Sequence, residues 1–141
     1  MSQQDRIKTI IENVRNQYAL SQYKVKRAII AAPFGQKYFD ECITQLTESR
    51  AVCELAQKGE ILVLVVTSVN TIIGKYPEWL KIIQIDRIPN WPTEDACQNR
   101  FIKWAIPLLF TNISCSIYID SDVIITNRSV KIKKLFDSPL H

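Results

Sequence analysis

The six residues from Ile61 to Val66 constrain the fold of this chain more than any other stretch. All six are aliphatic, and four of them are β-branched. The run is far too short to span a bilayer and has the length and composition of a strand. A strand that is apolar at every position is covered on both faces, which favours a parallel sheet enclosed between layers of helix.

The N-terminal segment predicts an amphipathic helix. Its apolar residues follow helical spacing, at Ile7, Ile10, Ile11, Val14 and Tyr18. The opposite face mixes charges of both signs, so we expect this helix to pack on the rest of the protein rather than on a membrane surface. The sequence therefore divides into an N-terminal amphipathic helix at 1–24 and an α/β domain at 25–141.

Other segments complete an α/β order. Short apolar runs predict strands at 27–32, 81–85 and 116–119, and helical spacing predicts one helix from Phe39 to Gly59. A second helix begins after Thr93 and is bent or ended near Pro107. The order strand, helix, strand, strand, helix, strand predicts a three-layer α/β fold with a mostly parallel sheet flanked by helices.

The predicted sheet indicates where function should be sought. Ligands of open parallel sheets bind beyond the carboxyl ends of the strands. The loop at Pro33, the loop after Val66 and the segment that begins at Asp120 are therefore expected at a common edge.

Composition narrows the classes of function. The chain has 141 residues, a net charge of +4 and ordinary globular proportions, with 47% hydrophobic and 23% charged residues. Its only tight basic cluster, Lys131, Lys133 and Lys134, is typical of a solvated face, so we expect no nucleic-acid partner. The chain has one histidine, His141, which argues against a zinc site and against a histidine-based catalytic triad.

Cysteine usage and the chain start bear on location. No Cys-x-x-Cys pair occurs, and the four thiols, at Cys42, Cys53, Cys97 and Cys115, do not predict a disulfide framework. The first residues carry charges that argue against a secretory signal, and no transmembrane segment is predicted. We therefore expect a cytoplasmic protein.

The triplet Asp120-Ser121-Asp122 is the strongest candidate for chemistry. It ends the predicted strand 116–119, and residues two apart on an extended chain point to one face. Two converging carboxylates repel unless a divalent cation lies between them, and magnesium or manganese suits such a pair. The alternative is an exposed acidic turn without a ligand.

The segment from Trp79 to Asp137 resembles the nucleotide-sugar-binding core of glycosyltransferases with the GT-A fold. The likeness rests on Asn99, Arg100 and Lys103 in the helix, followed by Ser-Ile-Tyr-Ile-Asp-Ser-Asp at 116–122 and Leu-Phe-Asp at 135–137. This succession is similar to glycosyltransferase family eight and to a related family of plants and bacteria. The resemblance implies a Rossmann-like donor-binding half and an enzyme of the hexosyltransferase type.

The resemblance also implies roles for individual charged residues. Asp120 and Asp122 would hold Mn²⁺ or Mg²⁺ on the donor diphosphate, and Asp120 would also reach the ribose or the donor sugar. Arg100 or Lys103 would neutralise phosphate charge, because guanidinium and ammonium groups are the usual partners of phosphate.

The donor nucleoside is expected at another part of the same edge. The resemblance implies that the loop of Ala32, Pro33 and Phe34 would approach it. No catalytic residue is identified in this way, and the acceptor stays open among a glycan, a lipid and a protein.

The chain departs from this family in its length beyond the acidic triplet. Only nineteen residues follow Asp122, whereas complete enzymes continue through an acceptor-binding half. We therefore expect a donor-binding fragment or the first part of a split or truncated enzyme, which would associate with a missing C-terminal half. A non-catalytic or degenerate module that binds a nucleotide sugar or a partner protein is the alternative. A nucleotidyl or phosphoryl transferase is a third, disfavoured because no Gly-rich phosphate loop occurs.

Overall fold

A computed structural model describes residues 3–17, 26–88, 91–110, 113–120 and 129–137. Five helices and four strands alternate along these residues. In chain order they are α1 (Gln3–Gln17), β1 (Arg27–Ala31), α2 (Gln36–Glu48), α3 (Arg50–Gln57), β2 (Leu62–Ser68), β3 (Leu80–Ile85), α4 (Asp95–Leu109), β4 (Cys115–Ile119) and α5 (Ser129–Asp137).

The four strands form one sheet in the order β3-β2-β1-β4, and every neighbouring pair is parallel. The predicted aliphatic strand is confirmed as an inner strand, β2, which is buried at all seven of its positions. In β1, Ala31 lies opposite Val65 of β2 on one side and opposite Ile119 of β4 on the other. The carboxyl ends of β1 and β4 are therefore level with each other.

Side chains that alternate along the strands build a core on each face of the sheet. On one face, Ala28 and Ile30 of β1 pack with residues of α1 and α4, such as Ile10 and Ile102. On the other face, Ile29 and its neighbours pack with residues of α2, α3 and α5. The predicted three-layer α/β fold with a parallel sheet is confirmed.

The prediction of one helix from Phe39 to Gly59 is wrong, because the segment forms two helices. Ser49 is extended, with φ −77° and ψ 108°, and its hydroxyl accepts a hydrogen bond from the Val52 backbone N–H at 3.3 Å. Serine is a preferred N-cap because its side chain satisfies a backbone donor at a helix start. Gly59, with φ +73°, follows the end of α3, as expected for a glycine beyond a helix C-terminus.

The ends of two other elements refine the predictions. Helix α4 runs through Pro107 and ends at Leu109, two residues later. Helix α5 was not predicted from the lysine-rich sequence, although it buries Ile132 and Phe136 against the sheet. The basic cluster of Lys131, Lys133 and Lys134 therefore lies on the solvent-exposed face of α5.

Two further findings concern the cysteines and the helices. The structure describes all four cysteines, and none of them forms a disulfide: Cys42, Cys53, Cys97 and Cys115. Within the described residues, every helix is too short or too polar to cross a membrane.

Candidate functional site

A cavity of about 440 Å³ opens at the carboxyl edge of the sheet. It lies where β1 and β4 are neighbours although the chain leaves β1 towards β2 and reaches β4 from β3. Such a reversal of strand order leaves a crevice in which α/β proteins bind ligands. The residues that line it are Pro33, Phe34, Tyr38, Glu41, Asp95, Ala96, Asn99, Arg100, Lys103 and Asp120.

Asp120 reaches the cavity because it directly follows β4. Side chains alternate along a strand, and Tyr118 packs on the face that carries α4. Asp120, two residues later, is exposed and lines the cavity beside that helix. Asp122 lies outside the described residues, so the expected convergence of the two carboxylates stays a prediction.

Helix α4 supplies a basic wall. Arg100 and Lys103 are exposed, lie three residues apart on neighbouring positions of the helix surface, and both line the cavity. Neither forms an ion pair with a carboxylate in the described part of the chain. The Lys103 ammonium lies over the Tyr118 ring, with Nζ 5.2 Å from its centroid. This wall therefore presents two positive charges that are open to a ligand.

The loop after β1 is held in place through its backbone. The Asn99 side chain donates a hydrogen bond from Nδ2 to the carbonyl oxygen of Ala32 at 2.6 Å, and the Thr67 hydroxyl donates to the carbonyl oxygen of Pro33 at 2.7 Å. Ala32, Pro33 and Phe34 are all buried, and of the three only Pro33 and Phe34 line the cavity. The predicted nucleoside loop thus contributes two of its three residues to the cavity surface.

The structure brings together most of the residues that the sequence singled out. Six of them line the cavity, namely Pro33, Phe34, Asn99, Arg100, Lys103 and Asp120. The loop after β2 lies at the same edge but does not border the cavity.

Some lining residues were missed by sequence reasoning. Tyr38 and Glu41 come from α2, whose buried residues are Phe39, Cys42, Ile43 and Leu46. Helical phase indicates that Tyr38 and Glu41 lie away from the core, but not that they face β4. Their role at the cavity depends on how α2 packs beside the end of β1.

The Tyr118 hydroxyl is an unusual buried polar group beside this site. Its oxygen is shielded from solvent and has no hydrogen-bond partner with good geometry in the described part of the chain. Burial raises the pKa of Tyr118 well above its ordinary value, although the nearby Asn99 amide acts in the opposite direction. The phenol is therefore neutral at physiological pH.

The described residues contain no set of three or more His, Cys, Asp or Glu side chains placed to hold a metal ion. Asp120 is the one described member of the predicted metal-binding pair. Ions such as magnesium need only one or two protein carboxylates, because water and substrate phosphates complete their shell. An exposed Asp120 beside the cations of the basic wall fits a site completed by a phosphate-bearing ligand.

Comparison with known proteins adds no identification. No protein-family model matches this chain, and neither the curated proteins nor the solved structures contain a match.

Proposed function

We propose that this chain is a metal-dependent glycosyltransferase, or the donor-binding part of one, that takes a sugar from a nucleotide sugar. The observation that carries the proposal is the meeting of Pro33, Phe34, Arg100, Lys103 and Asp120 in one cavity. These residues come from three separate parts of the chain, and the cavity lies at the strand-order reversal where α/β folds bind nucleotides.

The size and the surface of the cavity support a ligand of this class. Its volume of about 440 Å³ falls within the range of small-molecule sites. The buried residues Pro33 and Phe34 make the part of the cavity wall where a nucleoside would lie apolar, and Asn99 and Thr67 fix the backbone of their loop. Because this loop is held before the ligand arrives, less conformational entropy is lost on binding.

The basic wall suits a diphosphate. Arg100 and Lys103 would bind the phosphate oxygens through charge-assisted hydrogen bonds, and neither must first give up an ion pair with a described carboxylate. As the bond between the anomeric carbon and the diphosphate breaks, its electron pair leaves with the diphosphate. The two cations would stabilise the negative charge that develops there while an acceptor hydroxyl attacks the anomeric carbon and its proton passes to the departing diphosphate or to water.

Asp120 and Asp122 would hold a manganese or magnesium ion. When bound, such an ion acts as a Lewis acid towards phosphate oxygens. The contribution of Asp120 is a carboxylate on the cavity wall beside the two cations, placed there by the end of a fixed strand.

Calorimetry tests the proposal. A panel of nucleotide sugars is titrated into the protein with and without Mn²⁺, using the wild type, Asp122→Asn and the control Asp86→Asn. Asp86 is exposed after β3 and does not line the cavity. We expect metal and one nucleotide sugar to increase each other's affinity in the wild type and the control, and this coupling to be lost in Asp122→Asn. Absence of coupling in the wild type would refute the proposal.

Binding and turnover are separate outcomes. An enzyme is expected to hydrolyse its bound donor slowly when no acceptor is present, and Asp122→Asn should abolish that hydrolysis. Metal-coupled binding without hydrolysis would identify the non-catalytic module that the sequence left open. The measurement is release of free nucleotide over hours, followed by chromatography.

A further inference from the structure

Asp95 adds a carboxylate to the cavity wall besides those of Glu41 and Asp120. None of the donor-binding roles proposed above uses Asp95. It is the first residue of α4, and its carboxylate lies against Gly35 at the start of α2. Gly35 has φ +93°, and a Cβ at this position would collide with Asp95 Oδ2. Glycine is therefore required twice here, by the backbone conformation and by the close approach of the carboxylate.

Arg87 fixes the Asp95 carboxylate in this position. One guanidinium nitrogen of Arg87 lies 2.6 Å from Asp95 Oδ1, and another donates a hydrogen bond to the Thr93 carbonyl oxygen at 2.9 Å. The guanidinium also lies over the Phe34 ring, 5.8 Å from its centroid. Because Arg87 is held by three groups, Asp95 cannot turn away from the cavity without losing a well-anchored partner.

A ligand in the cavity meets the negative member of this ion pair. Asp95 lines the cavity, whereas Arg87 does not. The side chains of Arg87 and Asp95 are 36% and 33% exposed, so solvent screens their pairing only in part. Because the carboxylate lines the cavity and the guanidinium that partly compensates it does not, the pair contributes a negative potential, reduced by Arg87, at the place where an anionic ligand would bind.

The charges that line the cavity do not favour a bare anion. Three carboxylates, those of Glu41, Asp95 and Asp120, face the two cations Arg100 and Lys103. Asp95 and Arg100 line the same cavity. A fixed carboxylate at Asp95 therefore opposes the binding of a phosphate to Arg100 by an amount that is measurable at low ionic strength.

We propose that Asp95 is a charge-selectivity residue of this cavity. It weakens the binding of bare phosphate anions to Arg100 and Lys103, and so favours ligands that carry a counter-ion or make additional contacts. This inference rests on the proposed function, because it assumes that the cavity takes a phosphate-bearing ligand.

The test uses inorganic pyrophosphate without divalent metal, in the presence of EDTA. Its affinity is measured by calorimetry for the wild type, Asp95→Asn and Glu94→Gln at low and high salt. Asp95→Asn keeps the shape of the side chain and an oxygen acceptor for Arg87 while removing the charge. Glu94→Gln is the matched control, because it removes one negative charge at the preceding residue, which does not line the cavity.

We expect Asp95→Asn to bind pyrophosphate about fivefold more tightly than the wild type, because the variant loses one partly screened repulsion between a carboxylate and the ligand. Glu94→Gln should stay within about twofold of the wild type on the same scale. The gain of Asp95→Asn should shrink as salt is raised, because the interaction is electrostatic. Thermal unfolding checks that each variant is folded, and Asp95→Ser replaces Asp95→Asn if that variant does not fold.

Several outcomes would overturn the inference. The first is that Asp95→Asn binds pyrophosphate no more tightly than the wild type. The second is that Glu94→Gln gains as much pyrophosphate affinity as Asp95→Asn, and the third is that the gain of Asp95→Asn does not change with salt concentration. If the wild type shows metal-coupled binding of a nucleotide sugar while Asp95→Asn gains nothing, this inference fails and the proposed function stands. If no nucleotide sugar and no pyrophosphate bind to any variant, both fail.

Discussion

The two edges of the sheet carry cavities of similar size but different electrostatic character. The carboxyl-edge cavity has a volume of about 440 Å³, and a second cavity of about 460 Å³ lies at the amino edge, beside the start of β1 and α5. At the amino edge, Arg27 lies 2.5 Å from Asp137, and Lys133 lies 3.0 Å from Glu60. At the carboxyl edge, the cations of the basic wall have no such partners within the described residues.

The two edges therefore differ more in whether their cations are paired with carboxylates than in the volume of their cavities. A cation that already pairs with a carboxylate must give up that partner before it binds an anion, whereas an unpaired cation does not. The edges also differ in how they are held. Buried or partly buried hydrogen bonds from Asn99, Gln98 and Thr67, together with the Arg87–Asp95 ion pair, fix the loops of the carboxyl edge, while exposed ion pairs join elements that line the amino-edge cavity in the described residues.

The largest expected effect is the loss of anion binding at the carboxyl edge. We expect the double variant Arg100→Ala, Lys103→Ala to bind pyrophosphate or a nucleotide sugar at least about a hundredfold more weakly, because each charge-assisted contact contributes about 1.5 kcal/mol or more. The control is Arg27→Ala, Lys133→Ala, which removes the same charge at the amino edge. Equal losses in both variants would break the comparison, and calorimetry measures them.

A large effect on stability is expected from the buried hydrogen bonds. Gln98 is fully buried, and it bonds the backbone N–H of Ile88 at 2.6 Å and the carbonyl oxygens of Ile88 at 3.4 Å and Pro92 at 2.9 Å. Gln98→Leu leaves these groups unsatisfied, so we expect a loss of about 2–3 kcal/mol in the free energy of unfolding. Urea titration measures this loss.

The matched control for that change is Gln57→Leu at the exposed end of α3. We expect it to change the free energy of unfolding by less than about 0.5 kcal/mol. A similar loss in both glutamine variants would show that the buried hydrogen bonds do not distinguish the carboxyl edge.

A smaller effect is expected from Tyr118, whose buried hydroxyl makes no hydrogen bond of good geometry to a described residue, although the Asn99 amide lies nearby. Tyr118→Phe keeps the ring beneath Lys103 and removes an unsatisfied polar atom, so stability should rise by about 1 kcal/mol. Burial raises the pKa of Tyr118 in the folded protein, and the unfolded phenol therefore loses its proton first as pH rises. Stability should fall above about pH 10, and less steeply in Tyr118→Phe. Unchanged slopes in pH-dependent urea titrations would contradict this.

The smallest effect is expected at the amino edge. Lys133 and Glu60 are half exposed, so Lys133→Ala should cost less than about 0.5 kcal/mol, and that cost should vanish in high salt. Pyrophosphate binding should not change. A loss comparable to that of Gln98→Leu would mean that the ion pairs and the buried hydrogen bonds hold their edges equally well.

The fold could be predicted further than the site. The aliphatic run at Ile61 predicted an inner parallel strand, because a ribbon without polar side chains needs cover on both faces. The carboxyl-edge rule then placed Pro33 and Asp120 near each other without knowledge of the strand order. The break at Ser49 was missed because the apolar spacing continues across it, although serine before a new helix is a recognisable N-cap.

The contacts that shape the site could not be predicted. Asn99 was noted only as part of the resemblance, yet it bonds the carbonyl oxygen of a residue sixty-seven positions earlier. The approach of Asp95 to Gly35, and the places of Tyr38 and Glu41 in the cavity wall, depend in the same way on how α2 and α4 pack against the sheet. Helical periodicity fixes the phase of a helix but not the neighbour that its exposed face meets.

Location of the bound donor tests the central claim most directly. Backbone amide resonances of the isotope-labelled protein are followed during titration with a nucleotide sugar and Mg²⁺. The account predicts that the largest shifts map to Phe34, Arg100, Lys103 and Asp120 at the carboxyl edge, with Arg27 and Lys133 at the amino edge unmoved. Shifts centred on the amino edge, or none at saturating ligand, would contradict it.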